Sequence, residues 1–136
     1  MEKNIAITVA GTTVVDGEKE TITTKCPGKY FLKDDKHYFM YSENTENGLI
    51  KSVIKVQDEA MEVTKKGALN MHLFFEPLKD IACTYDTPFG SIPINIYTKR
   101  LDMYIESHHI KVVAEYEMRN HDEIMACCEL LIVAED

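Results

Sequence analysis

The feature that most limits what this chain can become is a two-residue rhythm of apolar side chains. Ile5, Ile7 and Val9 alternate with polar or small residues, as do Ile50, Ile54 and Val56, with Ser52 interrupting. The same beat returns in Met71-Leu73-Phe75, Ile81-Cys83-Tyr85, Ile92-Ile94-Ile96, Leu101-Met103-Ile105 and Ile110-Val112-Ala114-Tyr116-Met118. Neighbouring side chains of a strand point to opposite faces, so this alternation predicts strands with one buried face. Their richness in β-branched and aromatic residues agrees. Residues 57–69 have some helical character, but their apolar residues are sparse and Gly67 interrupts them, so a strand over 60–66 is the expectation.

Chain breakers punctuate these runs: "VDGEK" at 15–19, "CPG" at 26–28, "KDDK" at 33–36, "ENTENG" at 43–48, "KKGA" at 65–68, "EPLKD" at 76–80, "TPFG" at 87–90, "SHH" at 107–109 and "RNHDE" at 119–123. Turn signals spaced this closely between short strands predict an antiparallel sandwich or barrel of about ten strands. An up-and-down meander leaves two exposed edges unless it closes on itself. We therefore expect one all-β domain over residues 1–136, an antiparallel closed barrel of about eight to ten strands. Barrels of that size are either filled by side chains or hold one small ligand. In "TPFG", Pro88 presets the first central position of a turn, Gly90 suits its exit and Thr87 can cap it. Pro93, lacking an N–H, implies an edge, a bulge or a strand opening.

The 136 residues need no disulfide or metal to build a core. With 23 acids against 15 bases the charge is −8, which opposes non-specific binding to nucleic acid and to anionic membrane. The first residues carry no apolar core of a signal peptide, and no apolar run approaches a membrane span. Cys26, Cys83, Cys127 and Cys128 fit neither a CxxC pair nor a disulfide framework, so the thiols are expected reduced and the protein cytoplasmic.

Longer stretches carry a resemblance. "GEKETITTKCPGKYFLKDDKHYFMYSE" at 17–43, "GLIKSVIKV" at 48–56, "VTKKGALNMHLFFE" at 63–76 and, most specifically, "YDTPFGSIPINIYTKRL" at 85–101 resemble the YwiB-like family of small bacterial proteins. The resemblance runs nearly end to end. Pro77 and the His108-His109 pair depart from it, both in turns. It implies a calycin-like, lipocalin-like barrel and brings no activity, cofactor or site residue. Lipocalins and fatty-acid-binding proteins hold apolar molecules inside their barrels, but the Gly-x-Trp signature of lipocalins is absent, since the chain has no Trp.

No catalytic constellation emerges. His37, His72, His108, His109 and His121 lack metal-ligand spacing, and His108 and His109 read as stand-ins for turn glycines. Cys127 and Cys128 point to opposite faces, with Cys128 packing inward beside Ala126, Leu130 and Ile132. Glu115 and Glu117 read as a solvated polar face. Arg100 and Arg119 read as outward. Tyr41, Tyr85 and Tyr116 fall with the inward isoleucines, their hydroxyls meeting the backbone, a water or a ligand.

Two functions of different class follow. The first is binding of a small, partly apolar ligand inside the barrel, lined by Tyr41, Met71, Leu73, Phe75, Tyr85, Ile94 and Tyr116. The second is a structural or protein-interaction domain with a packed interior. A dispersed enzyme site ranks below both. No metal, cofactor, nucleic acid or membrane is expected as a partner. The last strand is apolar on both faces, Met125, Leu131 and Val133 forming the second, which predicts cover by the N-terminal segment, a loop or a second copy in a homodimer.

Overall fold

The computed structural model describes residues 2–87, 89–121 and 123–136, Thr87 by its backbone alone. Ten strands follow one another: β1 (Glu2–Val15), β2 (Glu18–Lys33), β3 (Lys36–Thr45), β4 (Gly48–Gln57), β5 (Ala60–Gly67), β6 (Asn70–Phe75), β7 (Asp80–Thr87), β8 (Gly90–Glu106), β9 (His109–Asn120) and β10 (Glu123–Glu135). Each pairs antiparallel with its sequence neighbours, and β1 pairs with β10 to close the barrel. The turns β1–β2, β3–β4, β5–β6, β7–β8 and β9–β10 share what we call the upper end.

Two tight turns set registers directly. Asp16 (φ 50°) and Gly17 (φ 80°) join β1 to β2, and Asp34 (φ 52°) and Asp35 (φ 62°) join β2 to β3. Hairpins favour left-handed residues at both central positions because that twist matches the strands, and Asp and Gly tolerate it best.

Several expectations change on contact with the fold. "CPG" at 26–28 is no turn but the middle of β2. Ile92–Ile96 and Leu101–Ile105 are one strand, β8, whose register shifts between Thr98 and Arg100. That bulge flips the inward parity from even to odd, so one strand reads as two. Neither His108 nor His109 has a positive φ; the left-handed histidine is His121 (φ 52°). Glu117 is buried rather than solvated. The turn assigned to Pro88 and the cap assigned to Thr87 lie outside the described residues. Pro93 conforms: the β8–β9 register begins only at Asn95, so among the described residues Pro93 has ladder pairing on the β7 side alone.

The core fills the middle and lower barrel. Phe39 and Phe75 are its largest wholly buried side chains, packed with Ile7, Ile54, Ile96, Val112 and Ile132. Each such side chain contributes about 1.5–3 kcal/mol by leaving water. Small Ala114 and Ala134 on β9 and β10 complement the aromatic rings in the same cluster.

The wall is uneven. β2 pairs with β3 only from Gly28–Tyr41 to Lys33–Lys36, so above Gly28 its edge is unpaired on that side. The departure falls at Pro27, which has no N–H to continue a ladder. β6 and β7 pair only at Asn70–Asp86, Met71–Tyr85 and His72–Thr84.

Candidate functional site

Barrel register assembles a line of inner-face residues that no single strand reveals. Reading from partner to partner, it runs Ile5, Gly28, Tyr41, Ser52, Lys65, Met71, Tyr85, Ile92. Directly opposed residues across antiparallel strands stand about 4.5–5.5 Å apart, so Ser52 is flanked by Tyr41 and Lys65. Gly28 carries no side chain here for a steric reason. A Cβ would lie 2.7 Å from the Met40 carbonyl oxygen, so β3 passes too close for any other residue.

Charge enters the interior beside this line. Glu43 follows Tyr41 on the inner face of β3, and its carboxylate lies 3.4 Å from the Lys65 ammonium. The same ammonium lies 5.5 Å from the centre of the Tyr41 ring. Although both charges face inward, Lys65 keeps 20% and Glu43 25% of its side-chain exposure, so water reaches the inside of the upper barrel. Toward the upper rim, inward Ile92 and Ile22 become exposed.

Hydrogen bonding is incomplete at this place. The Ser52 hydroxyl is sealed from solvent in a residue 1% exposed, yet it has no partner. Among the described residues the Tyr41 and Tyr85 hydroxyls make no hydrogen bond to the protein, but unlike Ser52 they are not sealed from solvent. An unpaired buried hydroxyl costs about 1–3 kcal/mol, so evolution normally removes or satisfies it. The chemistry of the set is convergent donors, with one carboxylate to balance the ammonium.

Thiols near the site are quiet. Burial pushes the Cys26 thiol up, Glu43 adds to that push and Lys65 opposes it. Cys83 and Cys128 are likewise raised, first by burial. Burial also pushes the Tyr116 phenol far up, with the Cys128 thiol beside it, so it stays protonated.

The expected lining residues divide. Leu73, Phe75 and Ile94 belong to the filled core, as does the buried Tyr41, and Tyr116 meets Phe75 edge-on at 4.9 Å beside that filling. Tyr41, Met71 and Tyr85 are brought together with Ser52, Lys65 and Glu43. Sequence reasoning missed Lys65, Glu43, Ser52 and Cys26 as site residues. The signal was parity, since Lys65 continues Met61-Val63 and Glu43 continues Phe39-Tyr41.

Four of the five histidines are engaged elsewhere, and His121 lies in the β9–β10 turn. His37 Nδ1 lies 2.7 Å from the Tyr30 hydroxyl, His72 contacts Glu62, His108 pairs with Asp136 and His109 with Glu135. Both arginines face outward, Arg100 to Glu115 and Asp102, Arg119 to Glu117 and Asp80.

A closed ten-stranded antiparallel barrel with a filled lower core and polar groups inside its upper half defines the class of protein. Residues 7–132 match the family described as a domain of unknown function, DUF1934, and the chain belongs to that family. It is 26% identical over 125 residues to the "Uncharacterized beta-barrel protein YwiB" of Bacillus subtilis (strain 168), covering 90% of this chain and 88% of that one. The fold matches the crystal structure of the Bacillus subtilis ywiB protein with a TM-score of 0.88 at 24% identity, over 98% of this chain and 92% of the other. Among the described residues no helix is long and apolar enough to cross a membrane.

Proposed function

We propose that the upper half of the barrel binds a small, partly apolar ligand through an acceptor-rich head such as a carboxylate. The observation that carries this reading is the buried, unpartnered Ser52 hydroxyl between Tyr41 and Lys65. Lys65, Ser52, Tyr41 and Tyr85 supply donors to the head, and Met71 and Ile92 offer apolar surface to the tail. Glu43 balances Lys65 while the site is empty. The four free thiols support a reducing, cytoplasmic setting.

Native mass spectrometry of protein purified from its own host tests the reading, together with thermal shift against straight-chain carboxylates from hexanoate to dodecanoate. A co-purifying small molecule, or a shift lost in Lys65→Met, supports it. Neither a bound molecule nor a shift overturns it and favours the packed interaction domain.

We also propose that the outer face of β10 meets a second copy. β1 pairs with β10 edge to edge and so does not cover Met125, Leu131 and Val133, of which Met125 stays exposed. Their neighbours Ala6, Thr8 and Ala10 on β1 add no charge. A dimer by light scattering at high concentration, lost in Leu131→Glu, supports this; a strict monomer overturns it.

A further inference from the structure

The surface of this acidic protein is not uniformly acidic. The outward positions of β2 above its lower turn, and of β3 and β4, carry Lys25, Lys29, Lys33, Lys36, Lys51 and Lys55. No Asp or Glu stands at an outward position within 25–33, 36–44 or 49–57. Lys29 meets Glu2 at 3.1 Å and Lys55 meets Glu62 at 3.4 Å. Among the described residues Lys25, Lys33, Lys36 and Lys51 form no ion pair.

An apolar groove of about 500 Å³ lies within this face. Register places Lys29 opposite Met40 and Met40 opposite Val53, with Lys51 opposite Ser42 one step above. Pro27, Met40 and Val53 therefore make an apolar floor between lysines. We propose that this face docks a short acidic segment of a partner protein, its apolar side chains in the groove and its carboxylates on the lysines.

Charge complementarity chooses the sign, and the wider field chooses the class. The molecule as a whole carries −8, so the surface beyond the lysines is more acidic still. Nucleic acid or an anionic membrane would extend past the lysine face and meet that repulsion. A short segment stays within the roughly 8 Å over which charges act in physiological salt. The aromatic pair on the face, Phe31 and Tyr38, is stacked on itself with centroids 4.6 Å apart, which takes one face of each ring from any base.

The test is fluorescence anisotropy with a short labelled peptide repeating Glu-Glu-Leu. Comparison probes are polyglutamate of equal length, single-stranded DNA and phosphatidylglycerol vesicles. The peptide is expected to bind more tightly than all three. Its affinity falls about tenfold or more in Lys29→Glu/Lys51→Glu and by a smaller factor in Lys51→Gln, which removes charge at an exposed position. Lys111→Glu, on β9, leaves it unchanged. Thermal melts confirm that each variant folds. No peptide binding, equal binding to polyglutamate, DNA or vesicles, or undiminished affinity in the double variant overturns the proposal.

Discussion

Glu43 and Lys65 meet at 3.4 Å on the inside of the barrel, from strands that are not neighbours in the sheet. The strand between them, β4, passes with Ser52. In an ion pair that keeps only 20% and 25% of its side-chain exposure, desolvation offsets much of the attraction, so stability is a weak explanation of two inward charges. A structural explanation of the pair would predict loss of folding when it is neutralised; a binding explanation predicts loss of ligand with the fold intact.

Lys65→Met therefore leaves the melting temperature nearly unchanged, because its stem is replaced by one of similar length in an apolar wall. Affinity for a carboxylate ligand falls. Glu43→Gln leaves the ammonium uncompensated and raises that affinity. Isothermal titration with the best carboxylate of the panel measures both, and equal effects of the two variants would remove Lys65 from the site.

Ser52→Ala and Thr98→Val form a paired test. Both hydroxyls are buried without a partner. Removing either relieves a desolvated group, so each substitution is expected to be neutral or stabilising by up to about 1–2 kcal/mol in denaturant unfolding. Only Ser52→Ala should weaken ligand binding, since Thr98 lies in the filled part beside the β8 bulge.

Acid sensitivity is expected to draw on Glu117, as on Glu62 and Asp136, whose carboxyls are also held low by basic partners. The Arg119 guanidinium, followed by Lys99, holds the Glu117 carboxyl below its ordinary value of 4.5 against the opposing effect of burial. Its lowered folded pKa means that the stabilisation is full above about pH 5 and disappears as pH falls through the folded value. Glu117→Gln is thus less stable than wild type at pH 7, and the gap narrows as pH falls below 4.5. A gap that does not change with pH would make Glu117 a packing residue only. His37 adds to the same trend, since burial lowers its pKa from 6.5 and protonation favours the unfolded chain.

Thiol labelling orders the cysteines. Cys127 is exposed and reacts first, while Cys83 and Cys128 are buried and react last. Cys26 is slow at pH 7.5 because its thiol is held protonated by burial and by Glu43. Glu43→Gln speeds its alkylation by a few fold, read by intact mass; no change would separate Cys26 from the inner ion pair.

The closed barrel was legible because one buried face forces alternation along each strand. β2 escaped because its inner positions Thr24, Cys26 and Gly28 are not strongly apolar, and because Pro27-Gly28 looks like a turn when no neighbour is visible. β8 was split because a bulge after Thr98 changes parity, which local periodicity registers as a new strand. Tyr41, Met71 and Tyr85 were readable from parity. Their grouping with Lys65 and Glu43 was not, since an inward charge near a strand end looks solvated until the cross-strand register is known.

The three-pair β6–β7 row is the shortest seam of the wall, and the β5–β6 row beside it has five pairs, so β6 is the strand held by the fewest stitches. Met71 stands on β6 between Lys65 and Tyr85, so loosening that seam turns this side of the inner line toward solvent while the longer rows hold.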